Sequence, residues 1–239
     1  MPGQKAASIL EGMLPLRDDV PTRIAPTVTI VLVALNVAAF LYELSLQGPR
    51  SHGAAEKFIE SFAVIPRALL APRPHLRTWI TPLTSMFLHA GFLHVAGNML
   101  YLWIFGNNIE DLLGHGRYLA FYLFCGLVAV ATQVATAPES SVPVIGASGA
   151  VAGVLGAYAV SYPTARIRTL IVFGFLWTVY LPAAVLLVVW FAMQILSGTQ
   201  QGSGAGGVAW WAHVGGFIAG ALLVKPFQVR PPVQARIPI

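Results

Sequence analysis

Six long apolar stretches, broken by short segments rich in polar residues, glycine or proline, constrain this chain more than any other feature. A bilayer core of about 30 Å takes about 20 residues of helix to cross, and helices satisfy their own backbone groups there. The stretches lie at about 27–47, 91–110, 117–137, 147–163, 169–196 and 208–228. They predict an all-α polytopic membrane protein, a six-transmembrane-helix bundle forming one domain. A soluble alternative is excluded by charge: 10% of the residues are charged, against about 25% in soluble domains.

The flanks are read accordingly. Residues 1–26 are mixed and polar, with no short apolar core before a small-residue cleavage site, so the first span is expected to direct insertion. They form an expected cytoplasmic N-terminal segment, 27–228 the membrane domain and 229–239 a cytoplasmic tail. The connection at 48–90 carries Pro66, Pro72, Pro74 and Pro82 among amphipathic stretches and is expected to lie in the interface. The uncharged run Gly198–Gly207 predicts a flexible loop. Cys125 is the single cysteine, which excludes an intrachain disulfide framework. The net charge of +5 shows no basic patch with interleaved aromatics, so no nucleic acid partner is expected.

Positive charge sets the expected orientation. Lys5, Arg17 and Arg23 precede the first span, Arg117 follows the second, Arg166 and Arg168 the fourth, and Lys225, Arg230 and Arg236 close the last. Both termini are therefore expected to be cytoplasmic, in a bacterial cytoplasmic (inner) membrane. Arg50, Lys57, Arg67, Arg73 and Arg77 in the long first connection run against this pattern. Spans two, four and six run in one direction, which puts His94, Asn98, Ser148 and His213 in the same leaflet, predicted to be the outer one. From Ser148 to the Pro163 end is about 22 Å of helix, short of a full crossing. Ser148 is then expected below the outer surface, with the preceding loop dipping into the bilayer.

Polar side chains are expensive in such segments and mark function. Alone, Ser148 reads as a small residue at a tight helix start, and His213, beside Trp210 and Trp211, as an interfacial anchor. Together they read as a nucleophile and its general base. The helix start suits an oxyanion as well, because its N–H groups lack intrahelical acceptors. His94 and Asn98, four residues apart, share a helix face and suit either interhelical hydrogen bonds or oxyanion donors. No aspartate stands near His213 and Asp111 falls at the opposite face, so a dyad is expected rather than a triad. Asn36, Gln133 and Gln194 are read as helix contacts, and Pro182 as a kink within the fifth span.

These residues resemble the rhomboid family of intramembrane serine proteases. His89-Ala90-Gly91-Phe92-Leu93-His94-Val95-Ala96-Gly97-Asn98 is similar to the family's second-span signature, continued by Gly106, Glu110 and Gly114. Gly146-Ala147-Ser148-Gly149 resembles its nucleophile motif, and Ala212-His213 with Gly216 and Gly220 its histidine helix. The likeness spans roughly 75–230. It implies that Ser148 and His213 are catalytic and that His94, Asn98 and the Ser148 N–H stabilise the oxyanion. It also implies transmembrane protein substrates, contact with membrane lipid, and no metal or cofactor. The alternative is a non-catalytic relative that binds or chaperones membrane proteins. Two positions depart from the family pattern: Thr81 stands where many members have arginine, and Ala152 where some have an aromatic residue against the histidine.

Overall fold

The computed structural model describes residues 13–48, 53–173, 175–200 and 207–233. Lys5, Arg50, Arg236, residues 201–206 of the glycine-rich loop and the outer ends of both expected tails lie outside the described residues. Strand β1 (Met13–Arg17) leads to helix α1 (Thr27–Ser45) and the short helix α2 (Ala54–Phe62). Single helical turns at Pro66–Leu69, Leu76–Ile80, Thr81–Thr84 and Ser85–Phe87 precede helices α3 (Phe92–Leu113), α4 (His115–Thr136) and α5 (Ser148–Ser161). Strands β2 (Arg166–Phe173) and β3 (Phe175–Pro182) and helices α6 (Ala183–Gln200) and α7 (Trp210–Phe227) complete the chain.

Packing of the long helices follows from residue size. The core is filled by fully buried Leu102, Phe105, Ile109, Tyr118, Phe121, Tyr122 and Tyr158. Between α5 and α7 it is small residues that matter: a Cβ on Gly216 would overlap the Gly149 carbonyl, and one on Gly220 the Gly153 carbonyl. Close approach of two backbones is what small residues allow in apolar bundles. At the other end of α3, Glu110 caps α1 from a distance. Its carboxylate accepts the Val28 and Thr29 N–H groups, both at 2.8 Å, and the Thr29 hydroxyl at 2.7 Å. These N–H groups would otherwise lack acceptors, since no side chain of the preceding residue Pro26 caps the helix.

The structure corrects the expected all-α architecture and bears out part of the expected six spans. By length and composition, α1, α4 and α6 can cross a membrane. A fourth candidate exists if Leu76–Phe87 and α3, bent by 77°, count as one span. Helix α5 has 14 residues, about 21 Å of rise, and α3 carries Asn107, Asn108, Glu110 and Asp111 in its last turns. The correction falls in the fifth span. Residues 166–182 form a hairpin instead of a helix, and β1 adds to it as a third antiparallel strand in the order β1-β2-β3. The run from Thr169 to Tyr180 is dense in β-branched and aromatic residues, which favour strands. Pro182 therefore does not kink a helix: it ends β3, and α6 begins after it. Residues 13–17, expected in a polar tail, belong to this sheet.

The first connection is tied to the loop that precedes α5. Val64 and Val144 form an antiparallel bridge, Arg67 N donates to Ser140 O at 3.1 Å, and Gly146 N to Ser85 O at 2.9 Å. Irregular backbone needs partners for its polar groups, and these bonds supply them.

Candidate active site

Three helices meet around Ser148. It opens α5, so its N–H is among those without an intrahelical acceptor. His213 lies in the first turn of α7, held at this depth by the glycine contacts between α5 and α7. The Ser148 Oγ and His213 Nε2 are 2.7 Å apart. Gln133 of α4 steadies the same turn, its side-chain oxygen accepting the Ala212 N–H at 3.2 Å. Asn36, by contrast, donates to the Leu32 carbonyl of its own helix.

Gly146 shapes the space in front of this pair. Its φ of +122° lies in the region that favours glycine. A Cβ built on it would stand 2.8 Å from His94 Nε2 and 3.5 Å from Ser148 Oγ. Glycine here lets the His94 ring stand close to the nucleophile as a hydrogen-bond donor, where a side chain would press on that ring. His94 is the donor there because its Nδ1 accepts the Ala90 N–H at 3.3 Å, which leaves the proton on Nε2. Asn98, one turn further along α3, is buried, and its Nδ2 has no hydrogen-bond partner among the described residues.

His89 packs edge-on to His94, ring centroids 5.1 Å apart, and is buried with both ring nitrogens unpartnered. Its backbone N–H donates to the carboxylate of the buried Glu43 of α1 at 3.3 Å. Asp111 is far from this cluster, where it pairs with Arg23 at 2.7 Å. Thr81, at the position of the family's arginine, is buried and donates to the Thr78 carbonyl at 2.8 Å.

Sequence reasoning missed Gln194. Read as a helix contact, it lies on α6 with its side-chain oxygen 2.7 Å from His213 Nδ1. Trp190, one turn earlier, has its ring centroid 5.9 Å from that of His213, at an interplanar angle of 33°. Trp210 approaches edge-on at 6.1 Å. The available signal was the shared leaflet: the end of span five and the start of span six face the same side.

A family model described as the Rhomboid domain matches residues 76–228, more than half of the chain. The "Rhomboid protease GluP" of Bacillus subtilis is 33% identical over 132 residues, 55% of this chain and 24% of that protein. "Rhomboid protein 1, mitochondrial" of Saccharomyces cerevisiae is 29% identical over 198 residues, 80% of this chain and 50% of that protein. The human "Presenilin-associated rhomboid-like protein, mitochondrial" is 37% identical over 89 residues, 36% of this chain and 23% of that protein. The chain thus spans half or less of the length of each of these relatives.

Proposed function

This chain belongs to the rhomboid family, and from that premise we propose that it is an intramembrane serine endopeptidase that hydrolyses peptide bonds in or near transmembrane segments of membrane proteins. The observation that carries the reading is the 2.7 Å contact between Ser148 Oγ and His213 Nε2, with the His94 ring close by across Gly146. A relative that only binds or chaperones membrane proteins has no use for a hydroxyl set against an imidazole.

In this reading the Ser148 oxygen bonds to the scissile carbonyl carbon while its proton passes to His213 Nε2. The resulting oxyanion is met by the Ser148 N–H, His94 Nε2–H and Asn98 Nδ2–H. Collapse breaks the C–N bond, and His213 gives the proton to the leaving amine. Water, deprotonated by His213, then hydrolyses the acyl-enzyme and restores Ser148.

The frame of this chemistry is a membrane domain at 27–228 in which α1, α3, α4, α5, α6 and α7 make six crossings, α5 falling short of the full core. The shortfall leaves Ser148 below the surface with room for water above it. Arg166 and Arg168 support a cytoplasmic side for both termini and the opposite face for the site. The relatives come from a bacterium and from mitochondria, which supports a membrane setting without supporting the bacterial inner membrane in particular. Substrate helices must unwind to be cut, because an intact helix shields each carbonyl in a hydrogen bond.

The test is labelling of the purified protein by a serine-reactive fluorophosphonate together with cleavage of a model transmembrane substrate. Wild type should label and cleave, while Ser148→Ala and His213→Ala should do neither at wild-type helical content. Cleavage by folded Ser148→Ala at the wild-type rate overturns the reading.

A further inference from the structure

We propose that Gln194 is a positioning residue that fixes the tautomer and ring orientation of His213, so that the working unit is Ser148, His213 and Gln194. The proposal rests on the reading of Ser148 and His213 as the catalytic pair and adds to it the neutral group that makes His213 a base on the correct nitrogen.

The orientation of the Gln194 amide is dictated by chemistry. One end of the amide lies 3.1 Å from the Trp190 carbonyl oxygen, which can only accept a hydrogen bond, so that end is the NH₂ group. The other end, 2.7 Å from His213 Nδ1, is then the oxygen. An amide oxygen only accepts, so Nδ1 carries the ring proton. His213 Nε2 is left with its lone pair directed at the Ser148 hydroxyl 2.7 Å away. The opposite tautomer would set the Nδ1 lone pair against the oxygen of Gln194 and point Nε2–H at a group that has to give up a proton. The proton position on a histidine follows from the bond its other nitrogen makes, and Gln194 makes that bond.

Burial gives the arrangement its force. Gln194 is 5% exposed and His213 8%, so neither can readily replace this bond with one to bulk water, and leaving it unmade costs the full desolvation of the group. Helix α6 also supplies Trp190 against the ring. One turn of α6 thus provides the hydrogen bond and a wall for the imidazole, a function the sequence does not assign to an aromatic at Ala152. A neutral amide does this without placing a second charge in a poorly solvated site.

Two measurements on the full-length protein test the proposal. In wild type, ¹⁵N NMR of labelled histidine should show His213 protonated on Nδ1; this spectrum needs no substitution, and protonation on Nε2 overturns the proposal. Gln194→Met, which keeps the length and helix preference but removes the acceptor, should shift His213 toward the Nε2–H form. It should also lower kcat by roughly 10- to 100-fold with KM little changed, as expected when binding is spared and the base is not. Wild-type kcat in Gln194→Met overturns the proposal alone, because wild type is then active and the Ser148–His213 reading stands. A wild type that neither labels nor cleaves overturns that reading and this proposal with it.

Discussion

The hydroxyl of Tyr158 in α5 donates a 2.6 Å hydrogen bond to the carboxylate of Asp18, in the segment between β1 and α1. The bond joins the helix that carries Ser148 to the sheet-bearing end of the molecule. Burial pushes the Asp18 carboxyl from 3.8 up to about 6; neighbouring Asp19 adds to the rise and the Tyr158 bond opposes it.

The sign of the pH effect follows. With the folded value above the unfolded one, the folded state is favoured by proton binding at low pH, and that contribution is lost as pH rises through about 6. Asp18→Asn, which keeps an acceptor for Tyr158, should therefore be more stable than wild type at about pH 8, by about 3 kcal/mol. The difference should close toward about pH 4. Thermal melts of the detergent-solubilised proteins at both pH values check this; a gap of the same size at both would rule out Asp18 ionisation as its source.

Gly146→Ala should abolish both cleavage and fluorophosphonate labelling. Its methyl group would stand 2.8 Å from His94 Nε2 and 3.5 Å from Ser148 Oγ, which forces the His94 ring from its place beside the nucleophile and crowds Ser148. The backbone strain of a non-glycine residue at this φ is about 1–3 kcal/mol, so the variant should still fold. Circular dichroism and a melting curve verify that, and a folded variant that cleaves normally refutes the role of the His94 ring beside Ser148.

Asn98→Ala should lower kcat by about 10²–10³-fold, the usual loss for one oxyanion donor, while Ser148 still labels. The buried, unpartnered Nδ2 motivates this. Since that group has no bond to lose in the free protein, the melting temperature should hold or rise. A large fall in melting temperature with turnover intact would instead identify Asn98 as a packing residue.

How far the sequence could be read depends on what each signal measures. Apolar length located α1, α3, α4, α5 and α7 to within a few residues, because in each case an apolar run ended at a polar group, a glycine or a proline. It misread 169–196 because a uniformly apolar run has no periodicity to separate strand from helix. The distinguishing cue was local: β-branched and aromatic residues on both sides of Gly174. The pairing of β1 with β2 was beyond reach, since it joins residues separated by a large part of the chain. At the site, Ser148, His213, His94 and Asn98 stood out as polar groups in apolar helices. Gln194 is equally polar in an apolar helix, but its partner depends on where α6 begins, and the strands before it shift that start to Ala183.

The same glycine contacts that bring Ser148 to His213 predict an asymmetric response to adding one methyl group. At Gly220 the new Cβ would overlap the Gly153 carbonyl oxygen and stand 2.7 Å from the Gly153 Cα. Backbone cannot rotate away as a side chain can, so α5 and α7 must separate. Overpacking of this kind costs typically 1–3 kcal/mol, and a shift of a few tenths of an ångström at Gly220 is carried along a rigid helix to His213, two turns earlier. Gly220→Ala should therefore lower the melting temperature and reduce kcat together. At Gly116, in the first turn of α4, nothing lies within 4 Å of the built Cβ, and alanine is the better helix former by up to about 1 kcal/mol. Gly116→Ala should leave kcat unchanged and hold or raise the melting temperature. Equal effects of the two substitutions on stability and turnover would mean that contact between α5 and α7 does not set the geometry of the Ser148–His213 pair.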